Sequence, residues 1–233
     1  MTLWIFLSGI LAPALFWIGY FYYKDRIQPE PFKYIGTAYL LGILSGFLCF
    51  QFNRLLPIIG IPDDPSVLME SHRVQFLVYS LGVIGVLEEL FKFLPFVLIV
   101  IKFKSFDEVT DGIIYASTIA LGFASFENLW YLRYMEGLEL MGRAFASPLT
   151  HTIFSSIWGY TCGLAHILDK SLLKASLLGL FIAAVVHGLF DFLTTSPALR
   201  VISAGLILVI WIWRIRVQER ADRTRSVDEM RNR

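Results

Sequence analysis

Long apolar stretches, separated by short polar links, occupy most of the chain. A helix that crosses a membrane needs about 20 largely apolar residues, and seven stretches approach this length. The links contain turn formers, such as Pro29 and Pro31 in one link and Pro62 and Pro65 in another. The pattern therefore predicts an all-α, polytopic transmembrane helical bundle of about seven spanning helices. Their expected bounds are 2–23, 34–58, 74–101, 110–132, 147–168, 172–194 and 198–214.

Local signals refine this division of the chain. The first stretch lacks a basic N-terminal region and a small-residue cleavage site, so we expect it to remain a membrane helix. Ser147 followed by Pro148 predicts the start of the fifth helix, with the serine as N-cap. We expect 1–214 to form a single transmembrane domain and 215–233 to be a basic, frayed cytoplasmic tail.

Composition and charge placement agree with a membrane protein. Of the 233 residues, 56% are hydrophobic and 17% are charged, and the mean hydropathy is +0.64. The net charge of +1, without a concentrated basic face, argues against a nucleic-acid partner. With the N-terminus outside and the C-terminus cytoplasmic, fourteen Lys and Arg residues are cytoplasmic and five lie outside, which satisfies the positive-inside rule. The five are Arg54, Arg73, Arg133, Arg143 and Arg200.

The third predicted helix carries Glu88, Glu89 and Lys92 at membrane depth. Charged side chains there are costly unless they are paired or hydrated, so each one suggests function. A buried Glu–Lys pair that fixes helix packing is the structural alternative, but it accounts for only one glutamate. The other carboxylate is therefore a candidate general base or proton carrier.

Polar residues also interrupt the next three helices. The fourth helix has Glu127 and Asn128 near its outer end, the fifth has His151, and the sixth has His187 and Asp191. Each has a structural interpretation when taken alone: a pair at a helix end, a hydrogen-bonded histidine, and a His–Asp pair on one helix face. All nevertheless lie in the outer half of the predicted bundle or near its midplane.

A cavity that opens outward would hydrate these residues together, and two carboxylates with two histidines suit hydrolysis. Two alternatives remain at this point. A proton-coupled transporter or channel uses the same residue types, and a non-catalytic scaffold would use them only for packing. The sequence shows no inverted repeat of the kind that transporters often carry.

Four motifs, in order on successive helices, resemble those of PrsW-type intramembrane proteases. The resemblance spans about 80–193, within a motif-bearing core of about 74–195, and Asp111 to Tyr115 and Arg143 also fit. The family is distantly similar to type II CAAX prenyl endopeptidases, which place a histidine where this chain has Glu127-Asn128. The motifs are Glu88-Glu89-x-x-Lys92, Phe123-x-x-x-Glu127-Asn128, His151-x-x-x-Ser155 and His187-x-x-x-Asp191.

The resemblance implies a multi-pass protease of the cell membrane that cuts single-span membrane proteins, typically anti-sigma factors, on the extracytoplasmic side. Our hypothesis is that Glu88 activates water and that Lys92 orients Glu89, although helix rotation could exchange the two glutamates. His151 and His187 would bind a divalent metal, zinc by preference, with a carboxylate as third ligand. That third ligand is Glu127 or Asp191, and Asn128 is a candidate oxyanion donor. A metal-free alternative pairs a glutamate with a histidine to activate water and lets His187 stabilise the oxyanion.

Overall fold

The computed structural model describes residues 3–24, 28–63, 65–131, 134–135 and 137–231, and this part of the chain contains helices and no strands. The α-helices are α1 (Leu3–Phe6), α2 (Ala12–Lys24), α3 (Phe32–Asn53), α4 (Ser66–Ser71), α5 (Arg73–Tyr79), α6 (Gly85–Leu98), α7 (Val109–Tyr131), α8 (Gly137–Ile167), α9 (Leu172–Thr194) and α10 (Pro197–Arg231). Two π-helical segments, Leu7–Leu11 and Ser80–Ile84, join α1 to α2 and α5 to α6. Two 3₁₀ segments, Leu56–Ile59 and Val100–Lys102, follow α3 and α6.

The predicted all-helical fold is confirmed. Four helical stretches of the described residues are long and apolar enough to cross a membrane, namely Phe32–Ile59, Val109–Tyr131, Leu172–Thr194 and Arg200–Arg220. The other three predicted spans, 2–23, 74–101 and 147–168, are helical in the described residues too. A π-helical segment interrupts each of the first two, and the third contains many polar residues. The count of seven and the orientation stay predictions. Thr2, Arg26, Leu132 and Arg133, which enter those predictions, lie outside the described residues.

The predicted start of the fifth spanning helix is wrong. The helix begins at Gly137, whose φ of +55° marks the turn before it, and Pro148 lies inside the helix. Ser147 is no N-cap, because its hydroxyl is buried and has no hydrogen-bond partner within the described chain. A proline inside a membrane helix is tolerated when neighbouring helices surround it, and Pro148 is buried. The predicted frayed tail is helical as well, since α10 continues to Arg231.

Five helices close a ring. α7 packs against α3 and α8, α8 packs against α9, α9 packs against α6, and α6 packs back against α3. α2 and α10 lie against the outside of this ring, where both contact α7 and α8. The four motifs lie on α6, α7, α8 and α9. The ring therefore brings motif residues from distant parts of the sequence close together in its interior.

Glycines allow α9 to approach the helix that carries the paired glutamates. A Cβ on Gly188 would collide with the carbonyl oxygen of Ser80, and a Cβ on Gly85 would collide with the carbonyl oxygen of Ala184. Contacts of this kind need residues without a side chain, as is common in membrane helix pairs. They bring Glu89 of α6 within reach of His187 on α9.

Candidate active site

The structure gathers five of the predicted polar residues at one cavity of ≈ 930 Å³. The cavity lies at the end of the bundle where α3 and α7 end and α8 begins. Its polar lining includes Glu88, Glu127, His151, His187 and Asp191. Residues from all four motifs therefore meet at this cavity.

Glu89 is the buried centre of this site. Its side chain has no exposure to solvent, and both carboxylate oxygens are fully engaged. Oε1 accepts from Lys92 Nζ at 3.0 Å and lies 2.9 Å from His187 Nδ1. Oε2 accepts from Ser155 Oγ at 2.8 Å and from Trp158 Nε1 at 2.9 Å. Four partners fill the lone pairs of a carboxylate, so Glu89 has none left for water or substrate.

Lys92 is the only buried lysine in the described chain, and it connects α6 to α8. Its Nζ donates to both glutamates, lies 2.8 Å from His151 Nδ1, and sits 4.3 Å from the centre of the Phe123 ring. An ammonium group can only donate. His151 Nδ1 must therefore accept, and the ring proton belongs on Nε2.

Glu88 differs from its neighbour because it faces the cavity. Its side chain is 15% exposed, and Oε2 receives a single hydrogen bond, from Lys92 Nζ at 3.3 Å. The same oxygen lies 3.7 Å from His151 Nδ1 and 3.7 Å from His187 Nε2. Glu88 is thus the glutamate that a water molecule in the cavity can reach, and both histidines point towards it.

Glu127 holds the far side of His151. Its Oε1 accepts from Arg143 Nη2 at 2.8 Å, and its Oε2 lies 2.9 Å from His151 Nε2. This is the nitrogen that carries the ring proton. Each histidine therefore has a carboxylate partner on one nitrogen, Glu127 for His151 and Glu89 for His187. Such partners fix the tautomer of a catalytic or metal-binding histidine.

The last two predicted site residues lie on either side of this group. Asp191 lines the cavity with its Oδ2 at 3.6 Å from His187 Nε2. Asn128 is 1% exposed and does not line the cavity, and its Oδ1 has no hydrogen-bond partner within the described residues. Asn128 consequently lacks the access that an oxyanion donor requires.

The donor set fits a divalent metal ion. Glu88, His151 and His187 each offer one ligand atom, and these atoms lie within 4.8 Å of one another. On His151 the atom near Glu88 is Nδ1, so a metal there would take the place of the Lys92 ammonium, which then keeps Glu88 and Glu89 as its partners. Neighbouring ligands of a tetrahedral zinc ion are about 3.4 Å apart, given bonds of about 2.1 Å, close to the 3.7 Å found here. Glu88 thus stands beside the two histidines, and Glu127 lies outside this group. Asp191 Oδ2 is 3.6 Å from His187 Nε2, so Asp191 stays a candidate third ligand.

Charge supports the same fit. The site holds four carboxylates, but the fixed cations in contact with them are only two, Lys92 and Arg143. His187 Nδ1 faces Glu89, so its Nε2 directs a lone pair towards the carboxylates of Glu88 and Asp191. Converging acceptors need a donor or a cation between them, and a divalent ion would supply that cation.

Trp158 is the site residue that the sequence analysis missed. It is fully buried and meets Phe93 and Phe96 edge to face, with its indole N–H directed at Glu89. The signal was present, because Trp158 follows Ser155 by three residues and His151 by seven. This is the spacing of one helix face.

A helical membrane protein with glutamates and histidines gathered at one cavity belongs, by its architecture, to the class of intramembrane proteases. Sequence comparison supports this class: the profile described as PrsW family intramembrane metalloprotease matches residues 30–215. The chain belongs to that family, and it is a multi-pass membrane protein that acts on membrane protein substrates.

Relatives named Protease PrsW match most of this chain. The protein of Oceanobacillus iheyensis is 31% identical over 208 residues, which cover 88% of this chain and 91% of that protein. The protein of Bacillus subtilis is 30% identical over 226 residues, covering 96% and 97%. The protein of Clostridioides difficile is 28% identical over 228 residues, covering 94% and 91%. No solved structure matches the chain.

Proposed function

We propose that this protease cuts single-span membrane proteins of the anti-sigma-factor class near their extracytoplasmic side, with water activated by Glu88. The observation that carries the proposal is the unequal placement of the two glutamates. Glu89 is enclosed by four partners, whereas Glu88 faces the cavity between two histidines. One carboxylate is built to hold the site together, and the other is free for chemistry.

In the mechanism that this geometry favours, Glu88 takes a proton from a water molecule as the water attacks the scissile carbonyl. Lys92 donates to Glu88 and holds it towards the cavity. Glu89 orients His187 through Nδ1, and Glu127 orients His151 through Nε2. The proton held by Glu88 then passes to the departing amine, as expected for a general base that later acts as an acid.

A divalent ion, zinc by preference, fits beside Glu88, where His151 and His187 would hold it. Zinc would polarise the scissile carbonyl and make a bound water a stronger acid. Because Glu88 Oε2 is 3.7 Å from a nitrogen of each histidine, Glu88 stands next to this position. Retained metal in a Glu88→Gln variant would identify Glu88 as the base, and lost metal would identify it as a ligand.

The side of cleavage follows from the end of the bundle at which the cavity lies. The cavity is lined by residues near the ends of three helices and by one residue of the link between α7 and α8, namely Tyr131, Glu139, Arg200 and Met135. The distribution of Lys and Arg predicts that this end is extracytoplasmic. The anti-sigma-factor class rests on the family resemblance. The transporter alternative has lost its main support, since the chain belongs to a protease family.

The test is a comparison of membrane proteins from cells that contain either the wild-type chain or its Glu88→Gln variant. We expect at least one single-span protein to accumulate uncut in the variant and to release its extracytoplasmic part in the wild type. Glu70→Gln is the matched control, because Glu70 is exposed on α4 and does not line the cavity. Identical fragment patterns for wild type and Glu88→Gln would overturn the proposal.

A further inference from the structure

Arg143 lies at the edge of the site, two helical turns before His151 on α8. Its side chain is 26% exposed and lines the cavity. Its guanidinium group donates to Glu127 at 2.8 Å and stacks on the Tyr131 ring, with Cζ 4.0 Å from the ring centre. Glu127 and Tyr131 are one turn apart on α7. Two contacts from one helix face therefore fix the position of this cation.

Glu127 links Arg143 to the histidine. One carboxylate oxygen accepts from Arg143, and the other lies 2.9 Å from His151 Nε2. No contact among the described residues joins Arg143 to His151 itself. The influence of the arginine on the histidine thus passes through one carboxylate, which has one oxygen hydrogen-bonded to Arg143 and the other in close contact with His151 Nε2.

We propose that Arg143 is a positioning residue that acts on His151 through Glu127, an inference that rests on the proposed function. Arg143 supplies the hydrogen bond that holds Glu127 in place, and Glu127 then keeps the ring proton of His151 on Nε2. The lone pair of Nδ1 consequently stays available to Lys92, whose Nζ lies 2.8 Å away and also donates to Glu88. Without Arg143, the carboxylate of Glu127 is free to turn into the cavity and bind water.

Replacement of Arg143 by alanine should lower the rate of cleavage and leave the affinity of the protease for its substrate almost unchanged. Loss of a group that orients a catalytic histidine typically costs 10–100-fold in activity. We expect kcat of Arg143→Ala to fall by about that factor, with KM within about twofold of wild type. The reporter is the single-span protein whose cleavage depends on Glu88, reconstituted with the full-length protease.

A double substitution tests whether the effect passes through Glu127. If it does, Arg143→Ala combined with Glu127→Gln is no slower than the slower single variant, since groups that act as a unit are not additive. Arg54→Ala is the matched control. Arg54 is an exposed arginine at the end of α3 that does not line the cavity, and this variant should cleave within about twofold of wild type.

Chemical rescue separates positioning from a general packing defect. Because Arg143 lines the cavity, added methylguanidinium should restore several-fold of the lost kcat in Arg143→Ala. Urea, which is planar but uncharged, should restore none. Multiplicative losses in the double variant, equal rescue by urea, or a raised KM with unchanged kcat would each overturn the positioning role. A wild-type chain that cuts no more of the reporter than Glu88→Gln would instead overturn the proposed function.

Discussion

The same substitution at two neighbouring positions should affect the protein in two different ways. Glu88→Gln and Glu89→Gln each replace one carboxylate oxygen by an NH₂ group, at adjacent residues of α6. We predict that both variants lose cleavage and that only Glu89→Gln loses substantial stability. The difference follows from the partners of each side chain.

For Glu89, the magnitude comes from its four contacts. Both oxygens face donors, Lys92 and His187 on one side and Ser155 and Trp158 on the other. A glutamine must turn its NH₂ group towards one of these sides and lose the bonds there. Removing one member of a buried ion pair typically costs about 3–5 kcal/mol, so we expect that loss in the free energy of unfolding.

For Glu88, the expected cost is far smaller. Its side chain is 15% exposed, and the oxygen of a glutamine can still accept from Lys92. One net hydrogen bond is worth about 1 kcal/mol, so the free energy of unfolding of Glu88→Gln should fall by no more than about that amount. Lys92 also keeps Glu89 as its close counter-ion at 3.0 Å.

The assay is the unfolding of detergent-purified variants, by heat and by denaturant titration, beside a cleavage measurement. Glu89→Gln should lower the unfolding midpoint on the order of 10 °C, and Glu88→Gln should lower it by a few degrees at most. Equal stability losses in the two variants would refute the assignment of one structural and one catalytic glutamate.

Two further substitutions test the framework of the site. Trp158→Phe removes the indole donor to Glu89 and should lower kcat about 10-fold or more, whereas Trp213→Phe on α10 should leave kcat within about twofold; equal activity of the two variants would contradict the role of Trp158. Gly188→Ala places a methyl group against the Ser80 carbonyl oxygen and should destabilise the contact between α9 and the π-helical segment that leads into α6 by about 1–3 kcal/mol. Gly205→Ala, which meets nothing within 4 Å, should unfold like the wild type, and a Gly188→Ala variant as stable as this control would argue against the close helix contact.

The sequence predicted the composition of the site better than its internal arrangement. Residue spacing placed Glu88, Glu127, His151 and His187 on successive helices, and hydropathy placed them at similar depth. Both signals are local to one helix, and they are sufficient to predict a shared cavity. The structure adds that Glu88 and not Glu89 faces it.

The rotation of each helix about its axis decides such details, and it depends on packing between distant segments. Glu89 turns away from the cavity because Ser155 and Trp158, more than sixty residues later, supply its donors. The contact between α6 and α9 at Gly188 sets the same rotation. No spacing rule within α6 contains this information.

The start of α8 shows a different limit. Ser147 and Pro148 form a strong local signal for a helix start, but burial among neighbouring helices allows the proline to lie inside a helix that begins at Gly137. The ten residues gained bring Arg143 onto the same helix as His151. The sequence named Arg143 as part of the family pattern without its partner, because the ion pair with Glu127 depends on how α7 and α8 pack.

The most direct test of the central claim is the metal content of purified protein, measured together with cleavage. The variants are wild type, His151→Ala, His187→Ala and Glu88→Gln. We expect near-stoichiometric zinc in wild type, loss of zinc in both histidine variants, and retained zinc without cleavage in Glu88→Gln. Active wild-type protein free of metal, or a Glu88→Gln variant that loses its zinc as the histidine variants do, would contradict it.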